Sequence, residues 1–226
     1  MQKNVTGWAG FLVFFVAFGG AMPVRGDQEI PLPEPAVQGD VSVEQAIRQR
    51  RSVREFGPDP LTLTEISQLA WAAQGVTDDT RGYRAAPSAG ATYPIEIDFV
   101  ITGCEDLEDG VYRYVVENHA LAPRMAGDQR QAVYENSLRQ DAILQAPVVM
   151  LVSGVLSRTE ARYGERALRF MYLEAGHVAQ NVHLQSTALD IDMVVIGAFR
   201  DAELTRAIQL EAGEQPLYVI PLGKSR

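Results

Sequence analysis

The chain has 226 residues and a formal net charge of −9, with 20 lysines and arginines against 29 acidic side chains. That length suits one domain with a buried core, and the acidic balance lacks the basic stripe that grips a phosphate backbone, which excludes nucleic acid as the expected partner. A single cysteine, Cys104, rules out an intramolecular disulfide and a thiolate metal cluster, and 46% apolar with 22% charged residues is the composition of a chain that folds.

Residues 1–26 read apart from the rest. Lys3 is followed by an apolar run from Trp8 through Ala21, with no charge until Arg25. This is the pattern of a signal peptide or, since the uncharged span approaches ~20 residues, of a membrane anchor. Either reading makes the remainder an exported domain, periplasmic or otherwise extracytoplasmic. Residues 27–40, DQEIPLPEPAVQGD, hold three prolines without periodicity and read as a linker, so one domain is expected over residues 41–226.

Within that domain, SVEQAIRQRRS carries a capping box, Ser42 with Gln45 three residues on, and reads as a short helix ending at the arginines. A second helix is expected in TLTEISQLAWAAQG, capped by Thr62 or Thr64, striped by Leu63, Ile66, Leu69, Ala70 and Ala73, and stopped by Gly75. Residues 77–94 read as loop. IEIDFVITG and GVYRYVVENHAL are β-branched and aromatic runs and read as strands, the second followed by a turn at Asn118. GDQRQAVYENSLRQ reads as helix, and APVVMLVSG as a strand buried on both faces.

The longest helical pattern begins at Ser157. Leu168, Met171, Tyr172, Ala175, Val178, Ala179, Val182 and Leu189 recur at helical spacing, with a break expected near Gly164. Apolar on more than one side, this helix is expected to face its own domain and a partner chain. DMVVIGAF reads as a strand, DAELTRAIQL as a helix capped by Asp201, and QPLYVIPLGKSR as the last strand. Strands and helices mixed in this way imply an α/β or α+β sheet covered by helices.

Four places hold residues suited to chemistry. RQRRSVREF gathers Arg50, Arg51, Ser52 and Arg54 at the C-terminal end of a helix, where the backbone repels anions, so any anion there must be held by the side chains. Lys224 and Arg226 form a second cationic cluster, and together the two would neutralise a dianionic phosphate. The competing reading pairs the arginines with Glu44 and Glu55 on a solvated face. In RAAPSAGATYPIE, Ser88, Gly90 and Thr92 permit close backbone approach to a flat ligand. EAGHVAQNVHLQS places His177, Gln180, Asn181, His183 and Gln185 on an apolar helix, where polar groups need partners. The two histidines point about 240° apart around an ideal helix, which discounts a metal pair. At Ile196, Gly197 and Ala198 the backbone N–H groups are candidates to face a cofactor. No nucleotide-triphosphate loop, GxGxxG fingerprint or nucleophile elbow is present.

In order, RRSVREF, PSAGATYPIE, GVYRYVVENHAL, RYGERALRFMYLEAGHVAQNVHL, VVIGAF and PLGKSR resemble the nitroreductase-like flavoproteins, with the azoline-oxidase branch the nearest in pattern. The resemblance spans about Val41 to Arg226. It implies an α+β three-layer sandwich with a mostly antiparallel central sheet, a long central helix at a homodimer interface, and FMN bound between the subunits. By motif, Arg50, Arg51, Ser52 and Arg54 would hold the phosphate and ribityl chain, with Lys224 and Arg226 closing on the phosphate. Pro87, Ser88 and Ala89 of the partner subunit would line the flavin ring, and Ile196, Gly197 and Ala198 would pass its other side, a backbone N–H there donating toward N5 or O4. Two departures stand out: Ala91-Thr92-Tyr93 replaces a loop where many nitroreductases carry asparagine, and with only Lys3 and Lys224 the chain has no lysine for the Lys–Tyr base of azoline oxidases. The implied function is an FMN-dependent oxidoreductase passing hydride through N5 to a small acceptor such as a quinone or nitroaromatic. Its donor would be NAD(P)H or, for an exported domain, a quinol or protein. The alternatives are a flavin-storage module, a peptide-modifying dehydrogenase, or a binding protein for another phosphate.

Overall fold

The computed structural model describes residues 29–226. The segment read as a signal peptide or anchor lies outside them, and among the described residues no helix is long and apolar enough to cross a membrane. The architecture is α+β. Strands β1 (Ile30–Pro31), β4 (Ile95–Ile101), β5 (Gly110–Val115), β6 (Ala120–Ala126), β7 (Val148–Val155), β8 (Ile191–Met193) and β9 (Glu214–Lys224) form a seven-stranded sheet in the order β1-β6-β5-β4-β7-β9-β8, antiparallel at every named pair. A two-stranded hairpin, β2 (Val76–Asp78) with β3 (Tyr83–Arg84), stands apart.

Alternation along the central strands builds the three layers. On β4 and β7, Ile97, Phe99, Ile101, Met150 and Val152 enter one core with α2 (Leu63–Gln74) and α6 (Ala167–Ala188), while Val100, Val149 and Leu151 enter the other with α3 (Arg130–Asn136), α4 (Ala142–Gln145) and α7 (Asp201–Ala207). Both faces are covered, which is why β7 reads as a continuous apolar run. Helix α1 (Val43–Gln49) and helix α5 (Leu156–Tyr163) pack beside α6. The capping boxes at Ser42/Gln45 and Thr62/Glu65 form as expected, and the long helix breaks at Gly164 (φ 52°) into α5, a 3-10 turn and α6.

Several expectations are corrected. The linker segment is packed onto the domain from Ile30: β1 pairs with β6, the Leu32 amide donates to the His119 carbonyl at 3.0 Å, and the Ala36 amide donates to Gln68 Oε1 at 2.8 Å. The 77–94 loop holds the β2–β3 hairpin and a 3-10 turn at Ala89–Ala91. The strand after Asn118 continues through Pro123, which sits at the register shift opposite Val111/Tyr112, a position where a missing N–H is tolerated. DMVVIGAF is a strand only to Met193, followed by a single bridge from Ile196 to Val219. Asp201 is the first residue of α7 rather than its cap, which is Arg200. Leu168 and Tyr172 lie on the side of α6 that its own domain leaves exposed, which leaves the expected partner-facing side open.

Candidate functional site

The arginine segment leaves α1 at Arg50 and runs extended along the sheet edge. Ser52 bridges Met193 of β8, the Val53 amide donates to the Met193 carbonyl at 2.9 Å, and the Gly57 amide donates to the Lys224 carbonyl at 2.7 Å. Arg226 Nε donates to the Phe56 carbonyl at 3.1 Å. The two cationic clusters, far apart in sequence, are thus stitched into one edge. The crossing is tight: a Cβ on Gly223 would lie 2.6 Å from Phe56 Cβ, and one on Gly57 would lie 2.9 Å from the Ser225 carbonyl oxygen.

Among the described residues, Arg50, Arg51 and Arg54 make no ion pair. Arg51 Nη1 turns back to the carbonyls of Arg48 (3.0 Å) and Arg50 (2.7 Å), closing the helix end. Glu55 is taken by Arg226 at 2.8 Å, and Glu44 faces Ser42 at the opposite end of α1, so neither neutralises the cluster as the solvated-face reading required. Lys224 pairs with Glu65. Burial works to raise the Glu65 carboxyl, but Lys224 and Thr62 outweigh it and hold the group below its ordinary value. Unmatched guanidinium groups in a protein rich in acids suit an incoming anion, which their planar forks can bind bidentately.

Helix α6 accounts for its polar residues by anchoring loops. His183 Nε2 donates to the Arg51 carbonyl at 3.0 Å; burial lowers its pKa, and nearby Arg50 pushes the same way, so the ring is neutral near pH 7. His177 Nδ1 donates to the Pro87 carbonyl at 3.2 Å. Asn181 Nδ2 donates to the carbonyls of Ala72 (3.2 Å) and Ala85 (3.1 Å), and Gln185 accepts from Gln68 at 3.2 Å. One helix therefore fixes both the arginine segment and the Pro87 loop.

In that loop, Pro87 is exposed, Ser88 and Ala89 half-buried, and Ser88 Oγ accepts from the Tyr93 amide at 2.9 Å. Gly90 (φ 60°) docks where a Cβ would stand 2.7 Å from Tyr163 Oη, and Arg162 Nη1 donates to its carbonyl at 3.1 Å. Thr92, in the Ala91-Thr92-Tyr93 departure, bonds Thr159 at 2.9 Å, and Tyr93 carries the Arg84 guanidinium 4.5 Å above its ring. At the other stretch, Ile196 is buried and its amide is spent on the Val219 carbonyl at 2.9 Å. Gly197 and Ala198 are the exposed pair, which narrows the expected backbone donors to these two. A cleft of about 530 Å³ opens between residues 36–43, α1, α2 and α6, with Glu65 in its wall. Sequence reasoning passed over Glu174, whose carboxyl is 2% exposed and lies against Ser88 and Gln74; its one signal is the i, i+3, i+7 spacing with His177 and Asn181.

The fold is a two-faced α+β sandwich with a cationic segment laid along the β8–β9 edge of its sheet. The comparisons place that fold in a family. The model of the Nitroreductase family matches residues 47–224. A protein of Methanocaldococcus jannaschii named as a nitroreductase is 39% identical over 196 residues, covering 87% of this chain and 96% of its own. The crystal structure of a Ralstonia eutropha JMP134 protein, also named as a nitroreductase, has a TM-score of 0.75 at 26% identity over 92% of this chain and 99% of its own. The NADPH:FMN oxidoreductase of Vibrio harveyi, solved with NAD+, has a TM-score of 0.59 at 16% identity over 81% of this chain and 68% of its own, a likeness of fold. The chain belongs to the nitroreductase family, and proteins named as oxidoreductases are among those of similar fold.

Proposed function

We propose that the protein is an FMN-dependent oxidoreductase that delivers electrons to a small oxidised acceptor such as a quinone or nitroaromatic. The observation that carries this reading is the edge on which Arg50, Arg51 and Arg54 stand without carboxylate partners beside Lys224 and Arg226. The three guanidinium groups and the Ser52 hydroxyl would hold the cofactor phosphate, which would also compete with Glu65 for Lys224 and with Glu55 for Arg226. Bound FMN supplies two-electron chemistry at its ring. The chain's own part is to bind and orient: the exposed backbone of Gly197 and Ala198 would face the ring, as would Pro87, Ser88 and Ala89 of a second subunit. Exposed Val43 and Ile47 on α1, with Leu168, Tyr172 and Leu173 on α6, support a homodimer that covers them.

The donor is NAD(P)H or, with an exported domain, a quinol or a protein. Lys224 is the one lysine of the described residues and is bound to Glu65, which disfavours a peptide-dehydrogenating Lys–Tyr base of the azoline-oxidase kind. Reconstitution with FMN, followed anaerobically by absorption as NADPH or a quinol is added, tests the reading. Uptake followed by bleaching is expected. Protein that takes up no FMN overturns it, and bound flavin that neither donor bleaches would leave a storage module instead.

A further inference from the structure

The two capping boxes of the chain are built alike but not charged alike. Helix α1 closes with Ser42 and Gln45, and helix α2 with Thr62 and Glu65. In both, the side chain at the third helical position accepts from the cap amide, Gln45 Oε1 at 3.0 Å and Glu65 Oε2 at 2.9 Å. Glutamine and glutamate both serve this role, so capping α2 does not require the negative charge of Glu65.

That charge has a different partner. Glu65 Oε2 is taken by the Thr62 amide and by Thr62 Oγ1, both at 2.9 Å, which leaves Oε1 to the Lys224 ammonium. The carboxylate is therefore held at the helix end independently of the lysine. The Lys224 backbone is equally fixed, paired with Ile191 of β8 and bonded by the Gly57 amide at 2.7 Å, so only the side chain of Lys224 is free to move. The side chains of Lys224 and Glu65 are 27% and 17% exposed, whereas those of Arg226 and Glu55 are 62% and 71% exposed. Water screens the second pair, which a ligand displaces readily; the first is less screened and harder to open.

We propose that Glu65 is a resident counter-anion that regulates the cofactor site: it neutralises Lys224 in the empty protein and lowers the affinity for FMN, whose phosphate must draw the ammonium from a carboxylate that stays in place. The inference rests on the reading of Lys224 as a phosphate ligand. Its consequence is an exchange of affinity for stability, because the charge that opposes the phosphate also ties the end of β9 to α2 before the phosphate arrives.

The test is Glu65→Gln, which keeps the capping box and removes the charge. The Kd for FMN, and for riboflavin, which lacks the phosphate, is read by isothermal titration on the full chain, with thermal melting of each apoprotein. Glu65→Gln should bind FMN about three- to tenfold more tightly than wild type, bind riboflavin as wild type does, and melt about 2–4 °C lower without cofactor. Glu44→Gln removes an equal charge from the exposed face of α1 and should leave FMN affinity within about twofold of wild type. FMN bound by Glu65→Gln no more tightly than by wild type, a gain shared equally by riboflavin, or an equal gain from Glu44→Gln would overturn the inference alone. Wild type that takes up no FMN would overturn the FMN reading and this inference with it.

Discussion

On the sheet face that carries Val100 and Val111, Arg113 donates to both oxygens of the Asp98 and Glu214 carboxylates at 2.8–2.9 Å, with Glu96 at 3.4 Å, and Arg124 adds a bond of 2.9 Å to Asp98. At the β8 edge of the same sheet, Arg50 and Arg54 meet no carboxylate among the described residues, although acids outnumber bases in the chain. The same side chain therefore stands in two settings. Where carboxylates enclose it, as at Arg113, each of its nitrogens bonds a carboxylate and the group ties β4, β5 and β9 together, with Arg124 adding β6. Where it is left unpaired beside small residues, its donors are available to a ligand.

The comparison breaks most visibly at Asp98, which is 1% exposed. Asp98→Ala would leave two guanidinium groups under-matched in the interior and should lower stability by about 3–5 kcal/mol, measured by urea unfolding, while the affinity of the remaining folded protein for FMN stays unchanged. The converse is the pair Arg50→Ala and Arg54→Ala. Each should weaken FMN binding by roughly 10–100-fold, as loss of a charge-assisted hydrogen bond does, with stability within about 0.5 kcal/mol of wild type. A smaller effect is expected at His183→Ala, which frees the Arg51 carbonyl: about 1 kcal/mol of stability lost, with FMN affinity lowered because the segment is less ordered.

The pH response sharpens the contrast further. Burial works to raise the Glu214 carboxyl, but Arg113 outweighs it and holds the group below its ordinary 4.5. The unfolded chain then binds more protons there, so this stabilisation is complete above about pH 4.5 and is lost as pH falls through the folded value. Glu174 is raised, so its sign is opposite: its contribution is complete below 4.5 and is lost as pH rises above it. Melting temperatures across pH should show Glu214→Gln flattening the acid limb and Glu174→Gln flattening the alkaline one.

Much of this was legible in the sequence because it is local. Ser42 with Gln45 and Thr62 with Glu65 form capping boxes within four residues, and the break at Gly164 needs only a residue at ease with positive φ. The arginine cluster and the carboxy-terminal cations were visible as charge patterns, though their meeting at Gly57 and Gly223 depends on strand crossings that no local pattern carries. What was hidden depends on distant partners. β1 is a strand only because β6 receives it and His119 holds Leu32, while Pro31 within it and Pro33 and Pro35 just beyond mimic a linker. Pro123 masked β6 until the bulge supplied a place for it. Helical spacing set Leu168 and Tyr172 in a stripe without saying which face the domain covers, and an acid in an amphipathic helix ordinarily faces water, so Glu174 passed unnoticed.

The most direct measurement is FMN binding by isothermal titration to wild type and to the Arg50→Ala/Arg54→Ala double variant, with the apoprotein unfolding curve of each in parallel. Wild type that binds FMN, and a variant that unfolds at the same denaturant concentration but binds at least about a hundredfold more weakly, is the expected result. Equal affinity in the two proteins, or a variant weakened only as far as it is destabilised, would contradict the assignment of the unpaired arginines to the cofactor phosphate.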